Sequence, residues 1–352
     1  MGQNLILPPN YTISMKNLKL LFFVIISLLF VRCNVKEGTD VYQSSRDNIM
    51  YLSNLVKEVE MDDIAISAVS MMYVGSKYLF IIDFKSHDYL VSVFDKKTFR
   101  YINSIIPRGQ GPGEIANPGR ITIDDKNDRL FLIDHGKSKI FSYRIDSVVT
   151  NPDFMPDIVS QMDNKDFPVE SYYLNDTLSL SLIMQPTGNS GFNAYIAKWN
   201  MNTGEISPMN YSNPRVSPKR IALAVSPEKK IYIEGYNHYD LLTLCDFNGN
   251  LIKNVYGPNW EENPKEPIRH FGGLSVYGDY LIASYSGNPS KSEKRFPTKF
   301  MVFDLQGNYI KTFEIGYDIL DFCCDYDNKR ILMKLNDDKQ FAFLEIDDLL
   351  KP

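Results

Sequence analysis

The sequence predicts an all-β fold: a six-bladed β-propeller of four-stranded antiparallel blades, closed by an N-terminal strand. The first observation is a repeat of apolar segments that follow tight polar turns, whose first residues lie 51, 48, 53, 50 and 50 positions apart. A repeat of about this length is typical of a propeller in which each unit forms one sheet. The six segments begin at Leu79, Leu130, Leu178, Ile231, Leu281 and Ile331.

The second observation is that every unit follows the same plan. An inner strand comes first, and in the first unit we expect it at Ile64–Met72. A turn rich in Gly, Asn and Asp follows, as hairpins require, and two further strands are joined to an outer strand by a second such turn. No part of this plan predicts a helix. The predicted blades span residues 64–106, 120–160, 169–210, 220–258, 272–316 and 319–350.

The third observation is that the last unit, Leu320–Leu350, holds residues for only three strands. An unclosed ring would leave a free sheet edge, so a fourth strand has to come from elsewhere in the chain. We expect it from residues 54–61, where Leu55, Val59 and Met61 share one face. A short helix is the alternative, because apolar residues here also fall at helical spacings of 3, 4 and 3. Those residues are Ile49, Leu52, Val56 and Val59.

The glycine-rich stretch Arg108–Glu114 could suggest a phosphate-binding loop, but a strand follows it. Gly109, Gly111 and Gly113 alternate with other residues, and residues 120–124 have the alternating pattern of a strand. A phosphate cradle needs a helix N-terminus after the glycines. We therefore interpret these glycines as positions that permit positive φ.

Composition and charge limit the classes of function that the chain can have. The chain has 352 residues, of which 44% are hydrophobic and 13% aromatic, enough for a large core. Its formal net charge is −5 and no run of basic residues occurs. This charge offers no general attraction to phosphate polymers, so we expect no nucleic-acid partner.

The N-terminal region has the pattern of an export signal. Leu20–Val31 is apolar except for Ser27, and lysines at 16 and 19 precede it. Twelve residues are too few to span a bilayer but fit the apolar core of a signal peptide that starts at Met15. We divide the chain into an upstream extension and signal peptide (1–33), a polar tether (34–50) and a propeller (51–352).

Cys33 directly follows the apolar segment, and this arrangement resembles a bacterial lipoprotein signal. The resemblance implies lipid attachment at Cys33 and a membrane anchor, with the protein at the outer membrane, facing the periplasm or the cell surface. Arg32 stands where such signals have a small residue. Ordinary secretion and an uncleaved anchor remain alternatives.

The other cysteines are Cys245, Cys323 and Cys324. Neighbouring residues on a strand point to opposite faces, so the adjacent pair cannot easily form a disulfide. The spacing does not match a metal or redox motif. We expect three free thiols.

The segment from Gly109 to Tyr143 resembles an NHL-type propeller repeat, through the run Gly-Gln-Gly-Pro-Gly-Glu and the strands that follow it. Together with the lipoprotein-like signal, the chain from about Val56 to Leu349 resembles the TolB-like six-bladed propeller lipoproteins of Bacteroidetes. This resemblance implies an exported propeller and no particular activity.

Basic residues and histidines are predicted to gather on one face of the ring. In a propeller, the loops between second and third strands lie on the same face as the connections between blades, around the channel mouth. Such a rim would suit an anionic ligand, and a chance clustering of a few histidines is the alternative. The candidate ligand-binding residues are Arg108, His135, Lys219, Arg220, His238, Arg269 and His270.

We therefore interpret the chain as a binding module for an anionic sugar, a carboxylate or an envelope protein. Such binding should weaken with salt and strengthen below about pH 6.5, where histidine becomes charged. The alternative is a metal-assisted hydrolase or lyase acting at the channel mouth. No catalytic motif, metal site or cofactor is assigned from the sequence, and a non-enzymatic role is favoured over catalysis.

Overall fold

The computed structural model describes residues 38–61, 64–163, 165–175, 177–188 and 191–351. These residues form six sheets, one for each blade, and two of the sheets hold a fifth strand that pairs in parallel; the predicted six-bladed β-propeller is confirmed. The signal-like segment, Cys33 and the first residues of the predicted tether lie outside the described residues. Within the described ranges, no helix has the length and apolarity needed to cross a bilayer.

The first three blades hold four strands each, and each blade begins with its innermost strand. Blade 1 consists of β4 Ser70–Val74, β5 Tyr78–Asp83, β6 Tyr89–Asp95 and β7 Tyr101–Pro107. Blade 2 consists of β8 Pro118–Asp124, β9 Arg129–Asp134, β10 Lys139–Arg144 and β11 Asp157–Gln161. Blade 3 consists of β12 Phe167–Tyr173, β13 Leu178–Gly188, β14 Gly191–Asn200 and β15 Ile206–Pro208.

The last three blades each receive a strand from the N-terminal part of the chain. Blade 4 contains β16 Ile221–Ser226, β17 Ile231–Tyr236, β18 Leu241–Asp246 and β19 Leu251–Tyr256. Blade 5 contains β20 Ile268–Tyr277, β21 Tyr280–Pro289, β22 Lys299–Asp304 and β23 Tyr309–Glu314. Blade 6 contains β24 Ile319–Asp325, β25 Arg330–Leu335 and β26 Phe341–Glu345.

Residues 39–58, which we call the strap, run along the outer edges of these three blades. Strand β1, Asp40–Tyr42, pairs in parallel with β19, and β2, Ile49–Tyr51, pairs in parallel with β23. Strand β3, Lys57–Glu58, pairs antiparallel with β26 and supplies the fourth strand of blade 6, within the predicted range 54–61. The predicted polar tether therefore has to be corrected, because its residues 40–42 and 49–50 are in strands.

Two further local predictions differ from the structure. The first inner strand begins at Ser70 instead of Ile64, because Ser67 donates its backbone N–H and its hydroxyl to the Asp83 carboxylate, at 2.7 and 2.6 Å. These bonds hold residue 67 away from the sheet. A short helix, α1 Ile145–Thr150, follows β10 and buries Ile145, Val148 and Val149 in the core shared by blades 1 and 2.

The glycine-rich loop is a structural connection between blades 1 and 2. The Gly111 N–H donates to Glu114 Oε2 at 2.7 Å, and Lys137 Nζ donates to the carbonyl oxygens of Gly111 and Glu114, both at 2.7 Å. Of the three glycines predicted to permit positive φ, Gly113 has a φ of +78°, whereas Gly109 and Gly111 do not adopt positive φ. The backbone carbonyl oxygens of the loop thus hold the Lys137 ammonium group in place, and the Glu114 carboxylate holds the Gly111 N–H.

The core lies between neighbouring blades. One cluster joins Phe80 and Val91 of blade 1 to Leu130 and Phe141 of blade 2. Another joins blades 5 and 6 and includes Leu52 of the strap. Inner strands consequently expose one edge to the central channel. Cys245, Cys323 and Cys324 are free thiols, as predicted.

The ring has two distinct faces. The loops between second and third strands and the connections between blades lie on one side, which we call the mouth face. The hairpin turns that join first to second and third to fourth strands lie on the other side, the turn face. This follows from the antiparallel order of strands in each blade.

Candidate functional site

The candidate site is the central channel, which holds two adjoining cavities. The larger has a volume of about 500 Å³ and opens toward the mouth face, where Asn237, Arg269 and Pro297 line it. The smaller has a volume of about 250 Å³ and reaches Ile123 and Cys324 near the turn face. Both cavities are lined by one layer of shared residues, which therefore marks the middle of the channel: Met72, Tyr73, Arg120, Glu170, Tyr172, Ser275 and Cys323.

An ion pair crosses this middle layer. Arg120 of β8 pairs with Glu170 of β12, and the carboxylate raises the pKa of the guanidinium further above its ordinary value. The Tyr172 hydroxyl lies 3.1 Å from Glu170 Oε1 and 3.1 Å from the Leu223 carbonyl oxygen. Burial raises the pKa of Tyr172 well above its ordinary value, so this hydroxyl keeps its proton. The pair is therefore mutually neutralised and held in place by a hydroxyl.

Asp321 of β24 lies on the wall of the larger cavity beside this layer. Its Oδ2 accepts a hydrogen bond from the Met72 backbone N–H at 2.7 Å. Burial raises the pKa of Asp321 to about 6. The carboxyl group is thus mainly ionised at neutral pH and gains a proton in mildly acidic solution.

Lys334 lies behind the wall of the channel and is fully buried. Its Nζ donates to the carbonyl oxygens of Ser67 and Ala68, at 2.9 and 2.8 Å, and to the Ser70 hydroxyl. Burial lowers the pKa of Lys334, and the charges of Asp321 and Asp83 act in the opposite direction. The lysine closes blade 6 against the segment before β4.

At the mouth, Arg269 and His270 line the larger cavity side by side on β20. His270 is buried, and its Nδ1 lies 3.0 Å from the Tyr285 hydroxyl. Tyr285 is also 3.4 Å from the Asn259 side-chain nitrogen. Among the residues that the structure describes, the Arg269 side chain has no ion-pair or hydrogen-bond partner.

The predicted rim residues do not all meet in one place. Arg269 and His270 line the cavity, while Arg220 and His238 lie close enough to interact electrostatically with one another beside it. Arg220 is exposed, and His238 is half-buried with a buried Nδ1 that has no partner. Of the predicted rim, Arg269 and His270 thus line the cavity, and Arg220 and His238 lie near Arg269.

The other three candidate residues make contacts away from the channel cavity. Arg108 donates from Nη1 to the carbonyl oxygens of Phe84 and Ser86, both at 3.0 Å, and so stabilises a loop of blade 1. Lys219 is buried and pairs with Glu234 at 3.2 Å, which neutralises its charge. His135 packs edge-on against Phe167 in a separate depression between blades 2 and 3.

The pKa values of three histidines lie below the ordinary value for histidine. Burial lowers the pKa of His135 and His238, and it lowers the pKa of His270 to about 4. The neutral imidazole of His270 is therefore favoured at pH 6. The expected strengthening of anion binding below about pH 6.5 has to be corrected to a lower pH, at which His270 becomes charged.

Glu170, Tyr172 and Asp321 were not among the site residues predicted from the sequence. Both carboxylates lie within predicted inner strands, Val169–Leu174 and Leu320–Cys324. A charged residue in an innermost strand has to face either the channel or a packed blade interface. An unpaired charge is not tolerated in an interface between blades. A carboxylate in an innermost strand could therefore have been predicted to face the channel.

The chemistry of the channel is polar, with both signs of charge. No group of three or more His, Cys, Asp or Glu side chains within the described part of the chain could hold a metal ion. The charged side chains that line the larger cavity are Arg120, Glu170, Arg269 and Asp321. They could bind an organic ion through hydrogen-bonded ion pairs.

Comparison with known proteins agrees with this fold. Residues 34–205 match the family DUF5128, which is described as a 6-bladed beta-propeller. A structure from Bacteroides fragilis, named as a candidate exported protein, gives a TM-score of 0.52 with 10% identity, covering 87% of this chain and 98% of that one. A DUF4221 family member from Bacteroides vulgatus gives a TM-score of 0.54 with 10% identity, covering 83% and 98%.

A search of the curated proteins gives no significant match. The two Bacteroides structures support the fold alone at this level of identity. The chain is thus a six-bladed β-propeller whose residues 34–205 are similar in sequence to a propeller family and whose ring is similar in fold to these Bacteroides proteins.

Proposed function

We propose that this protein is an exported binding module that holds a small carboxylate-bearing ligand, such as an acidic sugar, in the mouth of its channel. The observation that carries the proposal is the position of Arg269. Arg269 lines a cavity of about 500 Å³, and no described residue forms an ion pair with it. An arginine fork matches the geometry of a carboxylate and binds it through two hydrogen bonds.

The surroundings of Arg269 support the same ligand class. The cavity volume falls within the range of about 300–1,000 Å³ that is usual for small-molecule sites. Arg220 and the half-buried His238 lie close by and add donors at the rim. Protein walls on several sides reduce solvent screening, so a cation here attracts an anion more strongly than one on open surface.

We expect Arg269→Ala to weaken the binding of galacturonate about tenfold, because one charged hydrogen-bonded pair is lost. Galactose, which lacks the carboxylate, should bind weakly and equally to both proteins. Isothermal titration calorimetry at two salt concentrations measures this, and the wild-type affinity for galacturonate should fall with salt. Between pH 7 and pH 6, His270 should stay neutral because burial lowers its pKa to about 4, so any rise in affinity in this range should follow the protonation of Asp321 in the same cavity.

Arg100→Ala is the matched control, because Arg100 is an exposed arginine on the turn face between β6 and β7. It should leave galacturonate binding unchanged. Binding of galacturonate no better than that of galactose, or equal binding by wild type and Arg269→Ala, contradicts the proposed function.

We propose that the protein is located in the cell envelope and carries a lipid on Cys33. This proposal rests on the signal-like segment before Cys33 and on the resemblance to TolB-like propeller lipoproteins. We expect mass spectrometry of the mature protein to find residue 33 at the N-terminus with a lipid attached, and Cys33→Ser to abolish the lipid and the partition into detergent. An unmodified N-terminus, or cleavage at another position, contradicts the anchor but not the binding function.

A further inference from the structure

Asp321 is a carboxylate without a counter-charge on the wall of the larger cavity. Its carboxylate accepts hydrogen bonds from neutral donors, the backbone N–H groups of Met72 and Phe322. Within the described ranges, no Lys, Arg or His forms an ion pair with it.

The two cations that act electrostatically on Asp321 are already bound to other groups. Arg120 pairs with Glu170, and the Lys334 ammonium is surrounded by the carbonyl oxygens of Ser67 and Ala68. Both act on the pKa of Asp321, but the effect of burial is larger and raises it to about 6. At neutral pH the channel therefore contains an ionised carboxylate whose charge no neighbouring group balances, an arrangement that is unfavourable unless a partner is supplied.

Asp321 and Arg269 lie at different depths in the larger cavity. Asp321 is bonded to Met72, a residue of the shared middle layer, so it lies deep in the larger cavity. Arg269 is the second residue of β20 and lies at the mouth. A free cation at the entrance and a free anion at depth line the same cavity.

We propose that the cavity binds a zwitterion, with the ammonium group of the ligand on Asp321 and its carboxylate on Arg269. Binding of the ligand's carboxylate by Arg269 rests on the proposed function. Binding of its ammonium group by Asp321 is the new inference. Tyr73, Tyr172 and Phe322 also line this cavity. Aromatic rings attract an ammonium group and cover an aliphatic chain. A ligand with an amine at one end and an acid at the other satisfies both unpaired charges.

Probes of matched shape can test this. A series of ω-amino carboxylates of increasing chain length is titrated calorimetrically into the full chain, together with the alkanoate and the alkylamine of each length. We expect one chain length at which the zwitterion binds roughly tenfold more tightly than either matched probe. Asp321→Asn should abolish the preference for the zwitterion over the alkanoate, and Arg269→Ala its preference over the alkylamine.

Two further variants make the result specific. Asp321→Glu keeps the charge and lengthens the side chain, so it should restore zwitterion binding with a shorter preferred probe. Asp338→Asn removes an exposed carboxylate outside the cavity and should change nothing. Thermal unfolding of each variant verifies that the ring is folded.

The outcomes separate the two proposals. Zwitterions that bind no better than alkanoates, or a preference that survives in Asp321→Asn, overturn the inference, while Arg269-dependent alkanoate binding would leave the proposed function standing. Zwitterion binding that depends on Asp321 but is unaffected by Arg269→Ala overturns the binding of the carboxylate by Arg269 and, with it, the proposed function.

Discussion

Deletion of residues 39–58 is expected to lower the midpoint of thermal unfolding by more than about 10 °C, because the strap contributes to three blades. Leu52 and Val56 are 4% and 8% exposed, and burying such side chains stabilises a fold by roughly 1.5–3 kcal/mol each. The deletion also removes Arg46, whose Nη1 lies 2.6 Å from Asp240 Oδ1. A buried Asp240 without its partner costs about 3–5 kcal/mol.

Two point variants complete this test. Arg46→Ala alone should lose about 3 kcal/mol of unfolding free energy, and it can be measured even if the deletion variant does not fold. Tyr51→Ala also lies in the strap, but Tyr51 is 76% exposed, so the change should be within about 0.5 kcal/mol. A deletion variant that unfolds at the temperature of the full chain shows that the strap does not close the ring.

We expect Arg330→Ala to destabilise the protein by about 3 kcal/mol or more, since its side chain is buried where blade 6 meets blade 1. Arg330 Nε donates to Asp325 at 3.0 Å, and its Nη2 donates to the Lys96 carbonyl oxygen. The guanidinium also lies over the rings of Phe99 and Phe343, 4.5 and 5.1 Å from their centroids. Urea unfolding measures the change.

Arg129→Ala provides a control at the equivalent position of blade 2. Arg129 lies opposite Asp124 across β8 and β9, as Arg330 lies opposite Asp325 across β24 and β25. Its ion pair with Asp157 is partly exposed, so its loss should cost less than about 1 kcal/mol. Arg330→Lys should be intermediate, because lysine lacks the planar fork. Equal effects of the two alanine variants would contradict a special role for the seam between blades 6 and 1.

The repeat was readable from the sequence because each blade carries its own turns and apolar strands. The strap was not fully readable for the opposite reason. β1 and β2 have three residues each and no adjoining hairpin, and their partners are far away in the chain: Asn254 donates to Asp40 across 214 positions. Parallel pairing with a distant strand leaves no local signal in so short a segment.

The same limit applies to the site. Strand order placed Arg269 and His270 at the mouth, but it could not separate the exposed Arg220 from its neighbour Lys219, which turns inward to Glu234. The role of Arg108 depends on the carbonyl oxygens of Phe84 and Ser86, more than twenty positions earlier. Which charge remains available is decided by such contacts, and residue type alone does not reveal them.

The direction of β1 also matters for attaching the protein to a solid support. Because β1 runs parallel to β19, Asp40 lies beside Asn254 and Tyr42 beside Tyr256, the last residue before the connection to blade 5. The chain thus enters the ring at the outer circumference and travels toward the mouth face. A sensor surface or affinity tag joined ahead of Thr39 would therefore attach at the outer edge of blade 4, on the side of the turn face. The entrance of the channel, on the mouth face, would stay open to soluble analytes.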